Sequence, residues 1–312
     1  AQFYRRFNQQ LSGRNTSTAK ALQPPIPKVV TLRNLGVGEN LMLSDKNPPF
    51  EIKSSPVKPQ LPLICHIPHS STIVPNHVRN TFLISNSDLD KQILTMTDHF
   101  TDELFDEVKE LGGLMFVNRV SRLVFDPERF LNDSDEPMSA YGMGAVYLKT
   151  KNELFLRDVK EYTKEREKII EEFFNPYLLK IENEIEGLLR KFGKCFIVDG
   201  HSFPLIPFPY ENAKLIRPDI CLGYDSYHGP KEILDSLTDI IKGQGLSVSH
   251  NIPFSGSYVP GKFYRKNLKV KSLMIEINRG TYMDERTGTK GPRFEKIKKI
   301  TSKIINEITQ HL

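Results

Sequence analysis

No stretch of this chain stays apolar for the ~20 residues that a membrane-spanning helix requires, so the sequence predicts no such helix. Cysteine is scarce. Cys65, Cys195 and Cys221 make an odd set with no Cys-x-x-Cys spacing, which leaves no disulfide framework to read. Cys65 and Cys195 lie inside apolar runs, so they read as buried free thiols and point to a reducing, cytoplasmic setting. No Gly-rich loop ending in Lys-Ser or Lys-Thr is present to cradle phosphates. No Gly-x-Ser-x-Gly elbow is present to carry a nucleophilic serine. No internal repeat is apparent. Acidic residues are missing from the first 38 positions, where Arg5, Arg6, Arg14, Lys20, Lys28 and Arg33 are all basic.

That acid-poor start reads as a polar, basic arm over residues 1–47, with an organelle-targeting peptide as the alternative. Residues 48–312 then form one α/β domain. The net charge of +5 suits an anionic small molecule but falls short of a nucleic-acid-binding signature. Neither nucleic acid nor membrane is expected as a partner.

Apolar runs predict strands at 61–67, 114–118, 121–125, 194–198, 246–250 and 272–277. Helical faces run between them over 89–111 and 154–189, and again over 293–308. Pro176 should break or kink the second, and Gly193 fits its C-cap. Strands alternating with helices predict a three-layer α/β fold, with a mixed or mostly parallel central sheet covered on both faces.

The chemistry gathers where strands end. The run Lys194–Val198 leads into Asp199-Gly200-His201-Ser202, and Leu61–Ile67 leads into Pro68-His69-Ser70-Ser71. In open α/β sheets, ligands sit beyond the carboxyl ends of strands. Two strands that each deliver a histidine there suggest a zinc site, because catalytic zinc takes three protein ligands and keeps one position open. His69 and His201 are two of these. Asp98, in Thr97-Asp98-His99-Phe100, leads for the third place, with His99 as the fallback and a helix N-cap as the structural alternative for Asp98.

Glu276 lies inside the apolar run Ser272–Ile277, where a carboxylate is costly unless it is paired or beside a metal. It is the candidate general base, with a buried pair to Arg279 or another arginine as the alternative. Arg122 and Arg129 could clamp a substrate carboxylate as guanidinium forks, or pair internally with Asp126 or Glu128. Tyr258, in Phe254-Ser255-Gly256-Ser257-Tyr258, could reach over a substrate. Ser70 and Asn278 complete the substrate-binding candidates.

Taken in order, these motifs resemble the N-formylglutamate amidohydrolases over about residues 50–312. Pro68-His69-Ser70-Ser71 stands where that family has Pro-His-Ser-Gly. Asp98 with Asp102, Ser121-Arg122 with Asp126 and Arg129, Asp199-Gly200-His201-Ser202, Gly256-Ser257-Tyr258, and Glu276 with Tyr282-Met283 match its other motifs. The resemblance implies a zinc-carboxypeptidase-like fold, with Glu276 as base and Tyr258 as a substrate-covering residue. It implies hydrolysis of an N-acyl acidic amino acid, most simply N-formyl-L-glutamate to formate and glutamate. A carboxypeptidase, a peptidoglycan-type amidase and a non-catalytic binding protein remain as alternatives. Ser71 and Ser257 depart from the family's glycines, and Ser71 is expected to narrow the approach to the metal. Thr72 stands where a peptidase His-x-x-Glu motif needs glutamate, so the third ligand stays open.

Overall fold

The structure, a computed structural model, describes residues 48–58 and 60–312. The polar arm expected over 1–47 lies outside the described residues. Seven strands form one mixed sheet: β1 (Phe50–Lys53), β2 (Leu63–Ile67), β3 (Leu114–Asn118), β4 (Cys195–Phe203), β5 (Ile220–Gly223), β6 (Val248–His250) and β7 (Val270–Asn278). Their order is β1-β3-β2-β4-β7-β5-β6. The four central strands β3, β2, β4 and β7 run parallel. β1 is antiparallel to β3, and β5 is antiparallel to β7. No helix among the described residues is long and apolar enough to cross a membrane.

Alternation along the strands separates two cores, since successive side chains point to opposite faces. On one face Leu63, Cys65, Ile67, Val198, Leu273, Ile275 and Ile277 pack with the helices Leu234–Gly243 and Phe294–Thr309. On the other, Ile64, Phe116, Cys195 and Ile197 pack with Tyr177, Ile181, Ile185 and Leu188 of the helix Asn175–Phe192. The sheet is thus covered on both sides, the three-layer arrangement expected from the alternating elements. All three cysteines are buried and free.

Some boundaries differ from the sequence expectation. The run 121–125 forms a turn and not a strand. Its apolar residues are nonetheless buried, and the fully buried Arg157 donates to the carbonyls of Leu123 and Val124 at 3.2 Å. A short apolar run can fill a core from a turn when a buried donor satisfies its carbonyls. The face over 89–111 divides into the helices Asn86–Met96, Thr101–Leu104 and Glu107–Glu110. The face from Leu154 becomes helical only at Tyr162. Pro176 causes no break. One π-helical turn, Ile170–Phe174, precedes it and the α-helix continues from Asn175. The wider turn accommodates the missing N–H and the bulk of the ring. Gly193 ends that helix in the left-handed region, with φ of 72°.

Candidate active site

The polar residues of β2, β4 and β7 all lie on one face, and the strand register fixes this. His66 is opposite Asp199, and His201 is opposite Glu276. Cross-strand partners share a face, as do residues two apart on one strand. Asp199, His201, His66 and Glu276 therefore project together, continuing the side that carries Cys195 and Ile197 further down. The strand β4 runs on through His201 to Phe203, so His201 lies within a strand and not beyond its end. Gly200, between the two polar residues, faces the other core. A Cβ there would come within 2.6 Å of Ile67 Cδ1 and 3.0 Å of Phe105.

His69 follows β2 in a loop, and its Nε2 lies 2.9 Å from Asp126 Oδ1. The N–H therefore sits on Nε2, and Nδ1 is left as the lone-pair nitrogen. Nδ1 is buried and has no hydrogen-bond partner among the described residues. His201 repeats the arrangement. Its Nε2 donates toward Asp199 Oδ1 at 3.1 Å and Glu128 Oε1 at 3.2 Å, which leaves Nδ1 facing Asp98 Oδ2 at 3.1 Å. Asp98 reaches the same point from the loop after the helix Asn86–Met96, where its N–H donates to the carbonyl of His69 at 2.9 Å. Asp98 is not a side-chain N-cap. Only its backbone oxygen meets Thr101.

His69, Asp98 and His201 thus form a buried group whose ligand atoms lie within 4.8 Å of one another. Once His201 gives up its proton, two nitrogen lone pairs and an ionised oxygen converge there, a donor set suited to a cation. It fits zinc. Two neighbouring groups, His66 with Glu128 and Asp199, and His69 with Asp126 and Glu128, meet the same spacing. In those, the histidine nitrogens facing the carboxylates are already engaged as donors.

Electrostatics agree. Burial alone would pull His201 down, but the carboxylates of Glu128, Asp199 and Asp98 hold it well above its ordinary value. Burial would raise Asp98, yet His201, His69 and Arg279 keep it well below the usual carboxylate range. Asp126 is likewise held low against burial by Arg129, His69 and Arg122. A pocket that stabilises an added positive charge this strongly is suited to a metal ion.

Glu276 is different. Burial raises its carboxyl to about 8, with Asp98 and Asp199 adding to the rise and His201 and Arg279 opposing it. Its Oε2 is buried without a partner among the described residues. The expected alternative partner is committed elsewhere, because Arg279 Nη2 donates to Asp98 Oδ1 at 2.7 Å and Nε donates to Ser202 Oγ at 3.0 Å. Tyr258 donates its backbone N–H to Asp199 Oδ2 at 2.8 Å, and its ring stacks on His66 at 4.2 Å. Its hydroxyl has no hydrogen-bond partner among the described residues. Burial and the nearby Glu128 and Asp199 hold it protonated, well above its ordinary value.

A cleft of ≈ 350 Å³ opens over these groups. It is lined by His69, Asp98, His201, Glu276, Tyr258, Arg122 and Arg129 among others. The two arginines also meet Asp126: Arg122 Nη2 donates to Oδ2 at 2.8 Å, and Arg129 Nε lies 3.7 Å away. The internal pairing with Asp126 is thus present at the cleft wall.

Four expectations need correction. Ser70 does not line the cleft. Asn278 turns away from it, accepting from the Gly280 N–H at 3.1 Å and donating to the Pro218 carbonyl at 3.2 Å, which shapes the turn after β7. His99 is no ligand, since its Nε2 lies 3.1 Å from the carbonyl of Leu94 and burial lowers it to about 4. Ser71 does not narrow the metal approach. Its hydroxyl donates to the Arg119 carbonyl at 2.7 Å, outside the cleft.

The sequence reading missed several participants. His66, which the sequence shows only as part of an apolar run, donates from Nδ1 to Asp199 at 3.0 Å, and its Nε2 lies 2.8 Å from the Tyr177 hydroxyl. Asp199 stands within a motif without a role, and Asp126 is expected only as an internal partner of the arginines. The available signal was period two: Asp199 precedes His201 by two residues, so both face the same way. Glu128, expected only as an internal partner of the arginines, meets His66, His69 and His201 instead.

Comparison with known proteins is consistent with this geometry. The sequence pattern of the family described as N-formylglutamate amidohydrolase matches residues 61–283. The chain belongs to that family. An N-formylglutamate deformylase of Pseudomonas putida is 25% identical over 232 residues, covering 72% of this chain and 83% of that protein. The deformylase of Pseudomonas aeruginosa is also 25% identical, over 72% of this chain and 84% of its own length. Among solved structures, the N-formylglutamate amidohydrolase of Ralstonia eutropha superposes with a TM-score of 0.73 at 21% identity, covering 85% of this chain and 98% of that one. The last comparison speaks for the fold.

Proposed function

We propose that this protein is a zinc-dependent amidohydrolase that cleaves the amide of an N-acyl amino acid, N-formyl-L-glutamate being the simplest candidate from its relatives' names. The observation that carries the reading is the convergence of His69 Nδ1, His201 Nδ1 and Asp98 Oδ2 beside the unpartnered Oε2 of Glu276. Zinc held by those three residues would supply a Lewis acid for the amide carbonyl and bring the pKa of water toward neutrality.

The chain's own residues supply the rest. Glu276 Oε2, with no competing donor, accepts a proton from water and returns it to the leaving nitrogen. Arg122 and Arg129 hold the substrate carboxylate at one end of the cleft, and Asp126 fixes their orientation. The Tyr258 hydroxyl, which has no partner among the described residues, donates to the substrate. Asp126 and Asp199 hold the two imidazoles in the tautomer that leaves Nδ1 toward the cleft.

The test is metal content together with formate release from N-formyl-L-glutamate. About one zinc per chain is expected, with both metal and activity lost in His69→Ala and His201→Ala and activity restored to chelator-treated protein by added zinc. Stoichiometric zinc in both variants would place the metal elsewhere. Activity unaffected by chelation would remove zinc from the reaction.

A further inference from the structure

His66 takes no part in the chemistry proposed above, yet its side chain is fully buried on β2, with 0% exposure. A buried imidazole needs a partner for each ring nitrogen. Nδ1 lies 3.0 Å from Asp199 Oδ1, with Glu128 Oε1 further off at 3.5 Å. Nε2 lies 2.8 Å from the Tyr177 hydroxyl.

Tyr177 decides which nitrogen carries the proton. It is buried on the helix Asn175–Phe192. Burial, with Tyr258, Glu128 and Asp199 nearby, holds its hydroxyl well above the ordinary value, so it keeps its proton. Among the described residues, the hydroxyl has its hydrogen bond with His66. A buried O–H without an acceptor is costly. The hydroxyl therefore donates to Nε2, which presents its lone pair, and the ring N–H sits on Nδ1 toward Asp199. The face of the ring stacks on Tyr258 at 4.2 Å, with the planes 19° apart. The imidazole is thus held at an edge and at a face.

Asp199 receives what this fixes. Its Oδ1 accepts from His66 Nδ1 and from His201 Nε2, and its Oδ2 accepts from the Tyr258 N–H. Three donors set the plane of one carboxylate. That carboxylate in turn leaves Nδ1 of His201 facing Asp98. Tyr177, His66, Asp199 and His201 are joined in one line by hydrogen bonds of 2.8, 3.0 and 3.1 Å. The line runs from the covering helix to a candidate zinc ligand.

We propose that His66 is a positioning residue for the metal site: its Nδ1–H, fixed by the Tyr177 hydroxyl, orients Asp199 and through it His201. The inference rests on the metal-site part of the proposed function and adds to it a pair of residues that touch neither metal nor substrate. Outer partners of metal-bound histidines fix tautomer and ring orientation, and their loss weakens metal binding. A packing role alone would ask only that the space be filled.

Zinc affinity is measured by competition with a coloured chelator for the wild type, His66→Phe and His66→Asn, with circular dichroism as the check on folding. His66→Phe keeps a ring for Tyr258 to stack on but offers Asp199 no N–H. Its zinc binding should weaken about tenfold, the lower end of the loss usual for outer partners. His66→Asn carries an N–H at the same number of bonds from the backbone as Nδ1, and should recover most of that loss although it fills the space less well. Nitrogen NMR of the zinc-free protein, labelled in histidine, should show the His66 proton on Nδ1. In Tyr177→Phe, the Nε2 resonance should move toward that of an unbonded lone-pair nitrogen. Unchanged zinc affinity in His66→Phe overturns the inference. So does an equal loss in His66→Asn and His66→Phe, which would make His66 a packing residue. A proton on Nε2 in the wild type overturns it whether or not the variants fold. Wild-type protein that binds zinc no more tightly than His201→Ala overturns the metal site and this inference with it, whereas the other failures leave the metal site standing.

Discussion

His69 gives its Nε2–H to Asp126 across 2.9 Å, and so the opposite nitrogen of the ring, Nδ1, faces the candidate metal position. The same carboxylate takes hydrogen bonds from Arg122 and Tyr147 on its other oxygen. One buried aspartate therefore holds both the candidate metal ligand His69 and the arginine Arg122. Asp126→Asn can present an amide N–H to the ring and favour the wrong tautomer. It is expected to weaken zinc binding by roughly 10–100-fold, as read by competition with a coloured chelator. Unchanged affinity would mean that Asp126 serves only the arginines.

Glu276→Gln keeps the shape of the side chain and removes the proton acceptor. Zinc content should remain at the wild-type level, while kcat falls by about 10²–10⁴. A near-normal rate would reduce Glu276 to a buried carboxyl that tunes its neighbours. The neutral amide also relieves a buried acid, so the variant should melt no lower than the wild type.

Arg122→Ala removes one arm of the clamp. For a substrate with a free α-carboxylate, the loss in kcat/KM should approach 2–5 kcal/mol, about the cost of leaving a buried charge unpaired. For the corresponding primary amide the loss should be much smaller. Arg122→Lys should recover only part of the difference, because an ammonium cannot form the fork. Equal losses for both substrates would assign Arg122 to holding Asp126 rather than the ligand.

Gly200→Ala tests the packing that carries the site. The new methyl would press on Ile67 Cδ1 and the Phe105 ring, at 2.6 Å and 3.0 Å. Overpacking of this kind typically costs about 1–3 kcal/mol, so a lowered Tm is expected in thermal unfolding. A Tm equal to the wild type would show that the helix Thr101–Leu104 and its neighbours yield easily.

Much of this site could be read from the sequence, because chemistry and local pattern coincide in it. A histidine at the end of an apolar strand stands out, as does a glutamate inside one, and the structure brings His69, His201 and Glu276 to one cleft. What stayed hidden depends on distant contacts. His66 looks like any other strand residue until β4 is laid beside β2 in register. The pairing of Arg279 with Asp98 spans 181 positions, and no local spacing announces it. The run 121–125 reads as a strand because its residues are apolar. Its burial instead comes from a turn tied down by Arg157, a partner more than thirty residues away. The short β5 is too brief to declare itself and exists because β7 offers it an edge.

The register of β4 on β7 sets a limit on how this scaffold can diversify. His201 and Glu276 face each other only while Asp199 lies opposite Met274. One residue added to β7 ahead of Glu276 would turn the carboxylate into the opposite core, among Leu273 and Ile275. Length change in the central strands is therefore closed to selection, because it would remove fold and chemistry in a single step. Variation is left to the connections 204–219 and 251–269, which lie outside the strands and supply Phe208, Tyr210, Phe254 and Tyr264 to the cleft wall. Descendants of such a chain can change what they cleave by rewriting those loops, while the reacting groups stay where the sheet put them.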